Sequence, residues 1–278
     1  MHDDDHLLAR DLAERAGQRL LELRARGGES DVLRKAGDRQ SHEFLIAQFA
    51  GLRPDDLVLS EEAADNSARL AAERVWIVDP LDGTREFGEP GRTDWAVHIA
   101  LWEKSAANGA GDLTAGAVAL PAQGRVLSTA EPAPAAGSAP AAGSAPAAGS
   151  APAAGDGEPG GAAVPLRIVV SRSRPPAFVQ NISDLIGAKL VPLGSAGAKV
   201  AAVVSGEADA YIHGGGFYEW DTAAPVAVAR AAGFHASRID GSALAYNQAE
   251  LLMPDILVCR PAVAGSLLQA IREVTNAS

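Results

Sequence analysis

Apolar positions in the first part of the chain recur at helical spacing. Leu8, Leu12, Ala16, Leu20 and Leu23 fall on one face of a helix expected over residues 7–23, and Gly27-Gly28 ends the run. Phe44, Leu45 and Phe49 mark the buried stripe of a second helix over residues 41–50, broken by Arg53-Pro54-Asp55-Asp56. The pattern then changes to short apolar runs. Residues 57–59 read as a strand, and Val75-Trp76-Ile77-Val78 as a strand buried on both faces that ends at Asp79-Pro80. Further strands are expected over 96–102, 114–120 and 126–129, with a turn at Gln123-Gly124.

All periodicity then stops. Residues 133–156 are four tandem copies of Ala-Pro-Ala-Ala-Gly-Ser, the last with Asp156 in place of Ser. Nothing in such a segment can bury apolar surface, and its Pro and Gly break helix and strand alike. It reads as a flexible surface insertion over residues 131–163, dividing an N-terminal half, 1–130, from a C-terminal half, 164–278. In the second half, strands are expected over 166–170, near Leu190, and over 209–213 and 256–259. Helices are expected over 177–186 and 198–205, from Glu219-Trp220-Asp221 to Ala232-Gly233, and over 263–274. Strands and helices alternate in both halves, which predicts layered α/β architecture rather than a bundle or an all-β sandwich.

Composition narrows the function. Of 278 residues 47% are hydrophobic and 21% charged, enough apolar material for a real core, and the net charge is −11. That sign argues against binding a nucleic-acid backbone. No run approaches 18 apolar residues, so no membrane span is expected. The N-terminus is acidic and unlike a secretory signal, and Cys259 is the only cysteine, so the reducing cytoplasm is the expected compartment. Monomer and homodimer are both compatible with the sequence.

The candidate chemistry begins at Asp79-Pro80-Leu81-Asp82-Gly83-Thr84. Two carboxylates three residues apart at a strand end can face one point, with the Leu81 carbonyl beside them. Oxygen donors of that kind suit Mg²⁺. Gly83 and Thr84 follow with backbone N–H groups that could hold a phosphate oxygen. An ordinary Asp/Pro/Gly turn has the same composition, and these six residues alone do not separate the two readings. Glu61, after a short strand, and Asp221, at a helix start, are the acidic residues that could join the cluster. Asp221 could equally be a plain N-cap.

Three segments carry a resemblance. The run from Trp76 to Phe87 resembles the D-P-I/L-D-G-T-x-x-F signature of the inositol monophosphatase-like superfamily. Trp220-Asp221-Thr222-Ala223-Ala224 resembles its W-D-x-A-A element, and Ser60-Glu61-Glu62 its G/S-E-E element. The resemblance spans the chain outside the repeat insertion and implies a layered α-β-α-β-α sandwich. It implies Glu61, Asp79 and the Leu81 carbonyl at one metal site, and Asp79, Asp82 and Asp221 at a second. Gly83 and Thr84 would cradle the phosphate, and Thr84 would activate the attacking water. Asp38 would be its partner, although the threonine usual in that element is absent here and the preceding loop looks short. Two or three Mg²⁺ ions are implied. Four carboxylates and a phosphate dianion within about 4–6 Å repel by several kcal/mol per pair even at an effective dielectric near 20, so cations are required.

The substrate implied is a small phosphate ester. Pro80-Leu81, Arg85-Glu86-Phe87, Ser171-Arg172-Ser173 and Gly194-Ser195-Ala196-Gly197-Ala198-Lys199 resemble the bisphosphate nucleotidase branch, which acts on 3′-phosphoadenosine 5′-phosphate. Ser195, Lys199 and Arg172 become candidate substrate contacts, the two cations for a second phosphate. Inositol monophosphatase and fructose-1,6-bisphosphatase are the competing readings, and an inactive nucleotide- or metal-binding regulator is a third. His98, His213 and Cys259 read as packing residues.

Overall fold

A computed structural model describes residues 3–105, 110–133, 165–173 and 175–276. The repeat insertion lies almost wholly outside the described residues. The N-terminal half opens with helices α1 (Asp3–Ala25) and α2 (Ser30–Leu52). It continues through strands β1 (Leu57–Ser60) and β2 (Arg74–Asp82), short helix α3 (Thr84–Gly88), and strands β3 (Ala96–Lys104), β4 (Gly111–Leu120) and β5 (Arg125–Ser128). These strands form one sheet in chain order, with β1 and β2 parallel and the other pairs antiparallel.

The C-terminal half runs β6 (Arg167–Ser171), α4 (Ala177–Ile186), β7 (Lys189–Leu193), α5 (Ala196–Val204), β8 (Ala210–His213), β9 (Phe217–Tyr218) and α6 (Glu219–Ala231). It ends with β10 (His235–Ser237), β11 (Leu252–Met253), β12 (Ile256–Cys259) and α7 (Pro261–Asn276). Its main sheet has the order β10-β12-β8-β6-β7, and β9 pairs with β11.

Period-two alternation divides the apolar residues among three cores. Trp76, Val78, Val97, Ile99 and Leu101 face one way and pack with Leu12, Leu20, Phe44, Leu45 and Phe49 of α1 and α2. Val75, Ile77, Ala96 and Ala100 face the other way, onto Val200, Val203, Ala224 and Val228 of α5 and α6. Those two helices also meet Val169, Tyr211 and Val258 of the second sheet. Ile168, Val170, Ala210, Ile212 and Leu257 turn outward onto Val179 and Ile182 of α4 and Leu267 and Ile271 of α7. The result is five layers, α-β-α-β-α, as expected.

Two elements run longer than the sequence pattern predicts. α2 begins at Ser30 rather than near 41, so Asp38 lies inside a helix and the residues just before it are helical rather than a loop. Its buried stripe continues backward through Ser41, Gly37 and Leu33. Small residues there mute the hydrophobic signal for a steric reason: a Cβ on Gly37 would sit 2.8 Å from both Leu81 and Phe87 side-chain carbons. β2 likewise runs on through Asp79-Pro80-Leu81 to Asp82. Asp79 pairs with His98 but Asp82 with Ala96, so β2 carries one extra residue across this stretch.

Candidate metal centre

That extra residue makes the site. In a regular strand, residues three apart point to opposite faces. The bulge reverses this, leaving Leu81 among the α1/α2 core while Asp79 and Asp82 both face α5 and α6. There they meet Asp221 from the first turn of α6, and Asp79, Asp82 and Asp221 each offer an oxygen within 4.8 Å of the others. Glu61 follows β1, whose parallel pairing with β2 carries it to the same sheet end, and its N–H donates to the Val78 carbonyl at 3.3 Å.

Each aspartate has one oxygen anchored by the protein. Asp79 Oδ1 accepts from the Leu81 N–H at 3.0 Å, and Asp221 Oδ2 from the Tyr218 N–H at 2.6 Å. Asp82 Oδ2 accepts from the Ser195 hydroxyl and from the Gly197 N–H at 2.8 Å, with His98 Nε2 at 3.1 Å. Asp79 also shares a hydrogen bond with the Glu61 carboxyl, which joins Glu61 to the cluster.

The chain's own charges leave this cluster short of positive counter-charge. Burial, then Glu61, Asp82 and Asp221, hold the Asp79 carboxyl well above the ordinary carboxylate range. Burial and the Asp221 charge push Glu61 up to about 7, and burial and Asp82 push Asp221 up to about 6. Asp82 is the exception. Burial raises it, but His98, Lys199 and the Ser195 hydroxyl outweigh that and hold it below its usual value. Clustered oxygen donors lacking counter-charge fit a hard divalent cation such as Mg²⁺.

Thr84 opens α3 behind Gly83, whose φ of +82° lets the chain turn without a Cβ penalty. The Thr84 hydroxyl lies 3.1 Å from Asp38 Oδ1 and 3.0 Å from the Leu81 carbonyl, so the structure brings Asp38 and Thr84 together. Burial, then the neighbouring Glu62, push Asp38 up to about 6.

A cleft of about 500 Å³ opens at the acidic cluster, lined by Glu61, Asp82, Asp221, Ser195 and Lys199 among others. Lys199 is buried, its Nζ 3.2 Å from the Gly194 carbonyl and 5.3 Å from the Tyr211 ring centre. Arg172 is not among the lining residues; it binds Glu86 Oε1 at 2.8 Å and Glu89 Oε1 at 2.9 Å.

Residues 7–276 match the model of the inositol monophosphatase family. The chain belongs to the inositol monophosphatase family. It is 50% identical over 260 residues to the 3′-phosphoadenosine 5′-phosphate phosphatase of Mycobacterium bovis, covering 93% of this chain and 90% of the relative. The structure of CysQ from Bacteroides thetaiotaomicron superposes with a TM-score of 0.69 at 27% identity, over 93% of this chain and 97% of that one. An inositol monophosphatase from Thermotoga maritima, at 17% identity and a TM-score of 0.70 over 99% of each chain, shares the fold.

Sequence reasoning missed the supports around this family's acidic cluster. His98, fully buried on β3, stands opposite Asp79 in register and has Nδ1 3.2 Å from the Trp220 carbonyl, so it touches both halves of the centre. Gly197 must be glycine for the same reason: a Cβ there would lie 2.2 Å from His98 Nε2. Asp94 Oδ2 takes the Gly194 N–H at 2.6 Å and so fixes the loop that presents Ser195. A histidine within an apolar strand gave no signal beyond core packing. Its only clue was its place across from the acidic motif.

Proposed function

We propose that this protein is a Mg²⁺-dependent phosphomonoester hydrolase that removes the 3′-phosphate of 3′-phosphoadenosine 5′-phosphate, releasing adenosine 5′-phosphate. The observation that carries the reaction class is the bulge in β2, which turns Asp79 and Asp82 toward Asp221 so that all three offer oxygens within 4.8 Å of one another. The nucleotide substrate is supported by the 50% identity to a relative of that name across nearly the whole of both chains.

Glu61, Asp79, Asp82, Asp221 and the Leu81 carbonyl would hold two or three Mg²⁺ ions. Bound there, such ions neutralise the phosphate and acidify a water. The chain's own part is orientation and proton handling. Thr84 Oγ1, held between Asp38 and the Leu81 carbonyl, fixes the line of attack on phosphorus. Asp38, with its carboxyl near 6, takes the proton lost as water adds to phosphorus. The P–O bond to the ribose breaks, and the leaving 3′-oxygen takes a proton from solvent water in the open cleft to become a hydroxyl, while Asp38 returns its proton to solvent. Gly83 and Thr84 would offer N–H groups to the phosphate. Lys199 and Ser195 lie where the rest of the substrate would enter.

Among the described residues no helix is long and apolar enough to cross a membrane. A reducing cytoplasm suits Cys259, buried and free in β12, with burial pushing its thiol up to about 12. Phosphate release from the bisphosphate nucleotide, its sulfated form, inositol 1-phosphate and fructose 1,6-bisphosphate, each with and without Mg²⁺, tests the reading. A tenfold higher kcat/KM for either base-free ester would overturn the substrate. Asp79→Asn or Asp82→Asn is expected to cost about a hundredfold or more in turnover while the circular-dichroism spectrum is kept, since a lost ligand removes several kcal/mol of charge stabilisation.

A further inference from the structure

Most of the cleft is polar or acidic, as a phosphate site must be, but one wall is aromatic. His213, Phe217 and Tyr218 line it on the side of β8 and β9, next to Gly214-Gly215-Gly216. Tyr218 stands out because the fold leaves much of it uncovered: the residue is 44% exposed. It is nevertheless held firmly. Its ring stacks on Trp220 at 4.7 Å between centres and 14° between planes, and it pairs with Leu252 across the β9–β11 ribbon. Its backbone N–H donates to Asp221 Oδ2 at 2.6 Å. An aromatic ring fixed in orientation, stacked on one side and exposed, therefore stands one hydrogen bond from a candidate metal ligand.

Resting on the nucleotide reading above, we propose that Tyr218 is the platform on which the nucleobase of the substrate stacks, and that it discriminates nucleotides from sugar and polyol phosphates. The chemistry is direct. A phosphate drawn to the acidic cluster leaves only the ribose between its phosphorus and the base, and Tyr218 is the exposed ring nearest in sequence to Asp221. A flat π-face is matched by stacking, which every base can supply. Tyr218 thus reads the presence of a base rather than its identity. The three glycines beside it keep that wall free of side chains, so a planar group can approach. Gly215 cannot carry one in any case: its φ is +97° and a Cβ would lie 2.4 Å from the Pro254 carbonyl oxygen.

The test compares ligands that share a ribose phosphate and differ in the base. Binding of adenosine 5′-phosphate and ribose 5-phosphate to the Mg²⁺-loaded protein is measured by calorimetry for wild type, Tyr218→Ala and Tyr218→Phe. Steady-state kinetics are run on the bisphosphate nucleotide. Tyr218→Ala is expected to reduce the preference for adenosine 5′-phosphate over ribose 5-phosphate about tenfold, and to raise KM for the nucleotide by a similar factor with less change in kcat. Tyr218→Phe restores both, because the ring and not the hydroxyl does the stacking. Guanosine 5′-phosphate should lose as much as the adenine nucleotide. Equal losses for both ligands would mean that Tyr218 acts only through Asp221, and no loss would put the base elsewhere; either overturns the proposal. Failure of the wild-type protein to hydrolyse the nucleotide, or to prefer the base-containing ligand, overturns the nucleotide reading itself.

Discussion

Asp82 is the most heavily supported carboxylate in the centre, and its supports come from three elements: Ser195 before α5, Gly197 within it, and His98 on β3. A buried partner of this kind orients a ligand rather than binding the metal itself. His98→Leu is expected to raise the Mg²⁺ concentration for half-maximal activity by about tenfold, with most turnover recovered at saturating Mg²⁺. An unchanged Mg²⁺ dependence would leave His98 as packing alone. Proton competition follows from the same crowding. Glu61 and Asp221 titrate near 7 and 6 in the folded chain, against 4.5 and 3.8 for ordinary carboxyls. The folded protein therefore holds more protons than the unfolded chain between roughly pH 4 and 7. With chelator present, stability contributed by these groups should be intact at acid pH and fall as pH rises through that window. Thermal melts from pH 5 to 8 in EDTA should show that decline, and Mg²⁺ should flatten it.

At the scale of elements, α2 and β2 show where the sequence was legible. Strands β1 to β5, helices α1 and α4 to α7, and the acidic motifs follow from apolar periodicity and from motif order. The N-terminal half of α2 does not, because between Leu33 and Phe44 its buried face is Gly37 and Ser41, which carry no hydrophobic signal. Ser41 is buried for its hydroxyl, which donates to the Pro80 carbonyl at 2.7 Å. Ribbon strands β9 and β11, of two residues each, are too short for any period to register. Arg172 looked like a substrate cation because sequence cannot reveal that Glu86 and Glu89 surround it. The burial of Lys199 was not legible either, because one cation on a helix gives no measure of burial. Gly37→Ala tests the tight crossing of α2 over β2 and α3. The added methyl is expected to cost about 1–3 kcal/mol in urea unfolding, and to lower turnover through the adjacent Asp38.

The whole molecule assembles its centre from both halves: Asp38, Glu61, Asp79 and Asp82 from the first, Ser195, Lys199 and Asp221 from the second. The Ala/Pro/Gly repeat joins them in sequence yet supplies none of these groups. Reducing it to a single copy of the six-residue unit should leave the melting temperature within a few degrees and turnover within about twofold, since loop-closure cost varies only slowly with length. A loss of folding would instead assign the repeat a structural part.

Length matters in the opposite way at the bulge in β2. Every candidate metal ligand could survive a change there and the centre would still be lost, because what the bulge sets is a parity. Inserting one residue between Asp79 and Asp82, with the bulge kept, would turn Asp82 onto the α1/α2 face, and every residue beyond it would fall one step out of register with β3. Gly83 and the start of α3 would shift with it. A substitution in the segment changes one group and leaves this phase intact. An inserted residue it cannot absorb, so the spacing of the segment matters to the centre as much as its carboxylates do.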